Sequence, residues 1–198
     1  MALRDHIMAL DIPLPSRDEL PEDLQKFFGI CEQKLGMVPN VLAAYSHDAE
    51  QLRTFSRFYN ALMFGASGLS HLEREMIAVV VSSQNHCFYC LTAHGAAVRE
   101  YSGDPALGEL MVMNFRAADL SPRHAAMLHF AAKLTLQCAA IDEPDRQALR
   151  DAGFSEKDIW DIANVAAFYN MTNRVASAVD MQPNTEYHGK HRVASTPG

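Results

Sequence analysis

Hydrophobic positions recur along most of the chain at the three- and four-residue spacing of amphipathic helices. No segment alternates apolar and polar residues for long enough to read as a strand, so an all-α fold is expected. Pro21 opens a first helix over residues 21–35, with Leu24, Phe27, Phe28, Cys31 and Leu35 on its apolar stripe and Gly36 as its stop. Val41 to Tyr45 reads as a short helical turn. After His47 and Asp48, which are read as a cap rather than an acid–base pair, a second helix carries Leu52, Phe55, Phe58, Leu62 and Met63 until Gly65 and Gly68 end it. Ser70 and Glu73 then form the S-x-x-E capping box of a stretch that is apolar from Met76 to Val81. The pattern ceases across Ser82, Ser83, Gln84, Asn85 and His86 and resumes from Cys87 to Arg99.

Beyond a turn at Ser102 to Pro105, a short helix covers Ala106 to Met113. Ser121 and Pro122 start another, bearing Ala126, Leu128, Ala132, Leu134 and Leu136. Glu143 to Asp151 is a further short helix, and Ser155 with Asp158 opens a long one reaching about Val179. Residues 1–20, with Pro13 and Pro15, read as an extended arm, and residues 181–198 as a polar, mobile tail. The expectation is one domain over 1–198, with the arm and tail clasping neighbouring subunits.

A weak internal duplication runs through this pattern. Shifting the chain by 85 residues aligns Ser70 with Ser155, Glu73 with Asp158, Ile77 with Ile162, Ala78 with Ala163, Val80 with Val165 and Asn85 with Asn170. Cys87 and Cys90 fall on Thr172 and Val175, so the second copy lacks thiols.

Composition narrows the setting. The 198 residues are 48% hydrophobic, enough for a full core. Seventeen basic residues against 24 acidic ones, with no dense basic run, argue against a nucleic-acid partner. No run approaches the roughly 18 apolar residues of a membrane helix, and Arg4, Asp5 and His6 do not suit a secretory signal. A soluble, cytoplasmic protein without a membrane partner is expected. Of the four cysteines, Cys31 and Cys138 lie in apolar helical patterns and read as small core residues.

The remaining two cysteines concentrate the chemistry. Glu75, Cys87, Cys90 and His94 make the pattern E-x11-C-x2-C-x3-H. On a helix the two thiols and the imidazole fall within roughly 60° of one face, and a thiol at the helix start is favoured as thiolate by the macrodipole. In one straight helix Glu75 would lie about 28 Å from His94 at about 1.5 Å per residue. The polar run resolves this: a helical hairpin centred between Gln84 and Asn85 makes Glu75 the mirror mate of His94. The carboxylate would orient the imidazole, the imidazole would take a thiol proton, and a thiolate could attack peroxide and close a disulfide with its neighbour. Zinc held by the cysteines and His94, with His86 or Glu75 added, is the metal alternative, but no second ligand pair accompanies it. No metal and no cofactor are therefore expected. A non-catalytic redox sensor and a decarboxylase using Glu75 and His94 as acid and base stay open. His124 and His129 have no acidic or thiol companion at ligand spacing, and Glu73 is assigned to capping.

The same four residues match the spacing of the alkylhydroperoxidase AhpD core, within the carboxymuconolactone decarboxylase-like superfamily. The stretches LGMVPN, ALMFGASGLSHLEREMIAVVVSSQNHCFYC and TAHGAAVRE resemble its peroxidase-related branch, from about residue 20 to the HGK tail. The resemblance implies an AhpD-like helical bundle that forms trimers or hexamers. It implies an antioxidant peroxidase that takes a hydroperoxide substrate and a dithiol protein or small thiol as reductant. It makes Cys90 the attacking thiol, Cys87 its resolving partner, and Glu75 with His94 the proton relay. Tyr89 stands where the family carries a histidine, while the helix-terminus argument makes Cys87 the more acidic thiol.

Overall fold

The computed structural model describes residues 4–193, and among these every regular element is helical. Nine α-helices run in order: α1 (Glu22–Leu35), α2 (Asn40–Tyr45), α3 (Ala49–Phe64), α4 (His71–Gln84), α5 (Phe88–Ser102), α6 (Pro105–Asn114), α7 (Pro122–Leu136), α8 (Glu143–Asp151) and α9 (Glu156–Ala178). Most boundaries fall within a residue or two of the periodic pattern. Pro21 sits at the N-cap of α1 rather than inside it.

Helix α4 is the axis of the bundle. Met76 to Val81 are fully buried, and an apolar run without a polar face can only be satisfied from all sides. Helices α3, α5, α6, α7 and α9 pack around it. Arg74 is buried on the same helix, and its guanidinium donates to the carbonyls of Leu62, Gly65 and Leu69 at 2.8–3.2 Å. That charge therefore closes the unsatisfied end of α3 rather than standing unpaired.

The two matched segments meet in space. Both capping boxes form, Ser70 with Glu73 and Ser155 with Asp158, and Asn85 donates to Asn170, its counterpart 85 residues on, at 3.0 Å. Arg123 spans the pair: it binds Glu73 at 2.7 Å and reaches the carbonyls of Gly68 and Gly153, which are also 85 apart.

Two expectations need correction. Cys138 is exposed in a short 3-10 turn after α7, not packed in a core, because the chain leaves the bundle at Gln137. The arm and the described part of the tail lie on their own chain. Ala9 N–H donates to Val179 at 2.8 Å and Gln182 N–H to Ile7 at 2.9 Å, while Asn184 exchanges hydrogen bonds with Val38 and Asn40. The tail expected to be mobile is thus held from Met181 to Lys190 by hydrogen bonds that polarity alone could not reveal; residues 194–198 lie outside the described part.

Candidate active site

The polar run does break the helix. Helix α4 ends at Gln84, Asn85 caps it, and His86 takes a left-handed backbone conformation at φ 53° before α5 begins. The turn lies about one residue later than the expected centre, since the left-handed residue rather than the cap reverses the chain. The reversal lays α5 along α4, and the His94 Nδ1–H donates to Glu75 Oε2 at 2.6 Å. Both groups are largely buried, with side chains 14% and 5% exposed. With Nδ1 committed to the carboxylate, Nε2 keeps the lone pair that a base needs. Tyr169 on α9 adds a wall: its ring meets the imidazole edge-on at 4.7 Å, and its hydroxyl lies 3.4 Å from Nδ1.

Cys87 occupies the N-cap of α5, with Cys90 one turn on, and both are buried free thiols. The Cys87 thiol is held down to about 6, first by the hydrogen bond from the Cys90 thiol and then, against the opposing effect of burial, by the Cys90 backbone N–H and the Ser177 hydroxyl. Cys90 is pushed well above the ordinary thiol value, because donating to Cys87 retains its proton and burial disfavours its charge. The reduced pair is therefore a thiolate at Cys87 accepting from a thiol at Cys90, as the helix terminus leads one to expect.

Sequence reasoning missed a polar floor beneath the thiols. Asn173, 1% exposed on α9, donates to Ser82 at 2.9 Å and accepts from Asn85 at 3.0 Å, and Ser82 and Asn173 both hydrogen-bond Cys90. Polar residues at fully buried helical positions were the available signal. His86 points to solvent, so it does not join the cysteines. Among the described residues no three His, Cys, Asp or Glu side chains are grouped to hold a metal ion. Asp48 accepts from the backbone of Glu50 and Gln51 and acts as a cap. His124, for which no acidic companion was expected, lies 3.8 Å from Glu73 on the far side of the capping box.

Glu75, Cys90 and His94 share a cavity of about 620 Å³; Cys87 is not among its walls. Aromatic rings from several elements close it, among them Phe27, Phe55, Tyr59, Phe168 and Tyr187. Burial, and then the nearby Glu75 charge, hold the Tyr59 and Tyr169 hydroxyls well above the usual tyrosine range, so they remain donors. The Tyr89 hydroxyl accepts from the Val41 N–H at 3.0 Å and ties α5 to α2.

Fold and site together define an all-α protein with a buried dithiol beside a carboxylate–imidazole pair. The family model for the carboxymuconolactone decarboxylase family matches residues 49–106, which include all four candidate residues. An uncharacterized peroxidase-related protein from Silicibacter sp. TM1040 is 60% identical with a TM-score of 0.93, and the alignment covers 97% of this chain and 100% of that one. An AhpD-core, peroxidase-related protein from Ralstonia eutropha JMP134 is 38% identical with a TM-score of 0.92 over the same shares. The debrominase Bmp8, solved as a cysteine-to-alanine variant with 2,3,4-tribromopyrrole, shares the fold at 20% identity and a TM-score of 0.78, covering 92% of this chain and 96% of that one. No protein of curated function matches the chain. The chain belongs to the AhpD-like, carboxymuconolactone decarboxylase-like family, in its peroxidase-related branch. That family includes enzymes. Among the described residues no helix is long and apolar enough to cross a membrane.

Proposed function

We propose that this protein is a thiol-dependent peroxidase that reduces organic hydroperoxides through a Cys87–Cys90 disulfide. The observation that carries the reading is the shared cavity: Cys90, His94 and Glu75 face one aromatic-walled space, with the Cys87 thiolate hydrogen-bonded to Cys90 from outside it. Cys90 is the thiol a substrate can reach. Its sulfur attacks the terminal peroxide oxygen, the O–O bond breaks, and the Cys90 proton passes through His94 Nε2 to the departing alkoxide, leaving a sulfenic acid and an alcohol. Glu75 holds the imidazole and offsets its charge when it carries the proton. The Cys87 thiolate then attacks the Cys90 sulfur and hydroxide leaves, protonated to water, so a disulfide forms.

This division of labour reconciles the acidic Cys87 with the attacking Cys90. A resolving thiol that is already ionised needs no base of its own. An external dithiol, protein or small thiol, reduces the disulfide by exchange. A cytoplasmic setting and assembly into trimers or hexamers belong to the same reading.

The test is turnover of cumene hydroperoxide with dithiothreitol, followed by peroxide loss. Cys90→Ser is expected to lower kcat/KM by about 10³-fold or more, and Cys87→Ser to stall after one peroxide with a single oxygen added to the protein by intact mass. Turnover that survives Cys90→Ser would sink the proposal. A single oxidation without turnover in the wild type would indicate a sensor, and peroxide-independent chemistry needing Glu75 and His94 would indicate a decarboxylase.

A further inference from the structure

One buried cation fastens the tail to α5. Arg99, 5% exposed on α5, donates from Nε to the carbonyl of Lys190 at 3.0 Å and from Nη2 to that of Tyr187 at 3.1 Å. The nearby Glu109 pairs with Arg192 instead, so this guanidinium is spent on main-chain oxygens of the tail. One glycine makes room for it. A Cβ at Gly108 on α6 would stand 2.6 Å from Arg99 Cγ and 3.2 Å from the Gly95 carbonyl. Glycine inside a helix costs about 1 kcal/mol relative to alanine, and the passage of the Arg99 stem gives Gly108 a physical reason to be there.

The clamp holds part of the candidate site in place. Met181, Tyr187, Lys190 and His191 all line the cavity that contains Cys90 and His94. At its other edge the tail is tied to the end of α1 and the start of α2, with Lys190 Nζ donating to the Leu35 carbonyl at 2.6 Å and Asn184 binding the backbone of Val38 and Asn40. The strap thus bridges α1 and α5 across one side of the cavity. On the α5 side its anchor is Arg99, a charged donor that holds two of its carbonyls.

We propose that Arg99, seated by Gly108, is a positioning residue that fixes the Met181–His191 strap as the wall against which the organic part of a bulky hydroperoxide packs. This rests on the peroxidase reading for the substrate, but not for the binding. Hydrogen peroxide, which has no organic part, gains nothing from the wall. A substrate such as cumene hydroperoxide does, and losing roughly 60 Å² of apolar contact weakens binding about tenfold at about 25 cal/mol per Å².

The experiment compares the wild type with Gly108→Ala, which displaces Arg99 without altering it, and Arg99→Lys, which keeps the charge but cannot span both carbonyls. Release of the strap is read by trypsin cleavage after Lys190. Binding is read by calorimetry with cumyl alcohol, the inert reduction product. Both variants are expected to be cleaved faster, to bind cumyl alcohol about tenfold more weakly and to raise KM for cumene hydroperoxide by a similar factor, while kcat/KM for hydrogen peroxide stays within about twofold. If Gly108→Ala does not fold, Arg99→Lys decides. Faster cleavage with unchanged binding would overturn the wall, unchanged cleavage in both folded variants would overturn the clamp, and equal loss toward both peroxides would reduce Arg99 to a structural role. A wild type that binds cumyl alcohol but turns over no peroxide would sink the function proposed above and leave the strap to be judged on binding alone.

Discussion

Two segments of this molecule start alike and end differently. Helix α4 and helix α9 open with the same capping box, bury the same apolar register and touch through Asn85 and Asn170. Yet α4 stops after 14 residues and turns back, whereas α9 runs for 23. The difference lies in the residues just beyond the apolar run. Ser82 to His86 offer α4 no apolar anchor, while the matching positions of α9 include Phe168 and Tyr169, both buried, which keep the helix packed. The consequence is chemical. Cys87 lands at a fresh helix start and becomes the more acidic thiol; its counterpart Thr172 lies in mid-helix and bonds back to the Tyr169 carbonyl. Likewise Glu75 is buried against the returning His94, while its counterpart Trp160 is 69% exposed. A helix break at one position separates the copy that carries the thiols and the buried carboxylate–imidazole pair from the copy that has neither.

The comparison can be broken first at the carboxylate. Glu75→Gln keeps the shape of α4 and removes the charge that the first copy alone has placed against a histidine. Peroxidase kcat/KM is expected to fall about 10²-fold, and an unchanged rate would mean that the buried pair serves packing only.

The link between the copies comes next. Asn85→Ala removes donors to Asn170 and Asn173 at the end of α4; the Asn170 amide oxygen keeps Arg174 as a donor, but the buried Asn173 amide oxygen is left without a partner. Urea unfolding should show a loss of about 1–3 kcal/mol, together with altered thiol reactivity since Asn173 supports Cys90. A neutral result would reduce the contact between the matched asparagines to coincidence.

The smallest effect sharpens the role of the turn. Absorbance near 240 nm should show one thiolate titrating at about pH 6 in the reduced protein, and Cys90→Ala should move that midpoint upward by about one pH unit, roughly 1.4 kcal/mol, because the leading hydrogen bond to Cys87 is gone. Since the folded value lies below the ordinary 9.0, the unfolded chain binds more protons between the two. Stability of the reduced protein therefore rises with pH across that window and is lost as pH falls through about 6. Cys87→Ser should flatten the slope, and a midpoint near 9 in the wild type would remove the acidic thiol from the argument.

Much of this was written into the order of residues. Apolar spacing and the Ser70 and Ser155 capping boxes located the helices because local periodicity and caps are properties of neighbours in the chain. The turn was legible for the same reason: five polar residues interrupting α4 require a break, and arithmetic about that break paired Glu75 with His94. Contacts between distant segments were not legible. Asn173 beneath Cys90, the ring of Tyr169 against His94, and Arg99 holding the tail each join residues 75 to 91 positions apart, and no pattern along the chain records which polar group a buried helix will meet. The tail shows the limit most plainly. The polar sequence from Met181 onward does not record its own partners; Arg99, in the space left by Gly108, takes two of its carbonyls while Asn184 and Lys190 bind the chain at the junction of α1 and α2, because buried polar groups must find partners and these lie far away in the sequence.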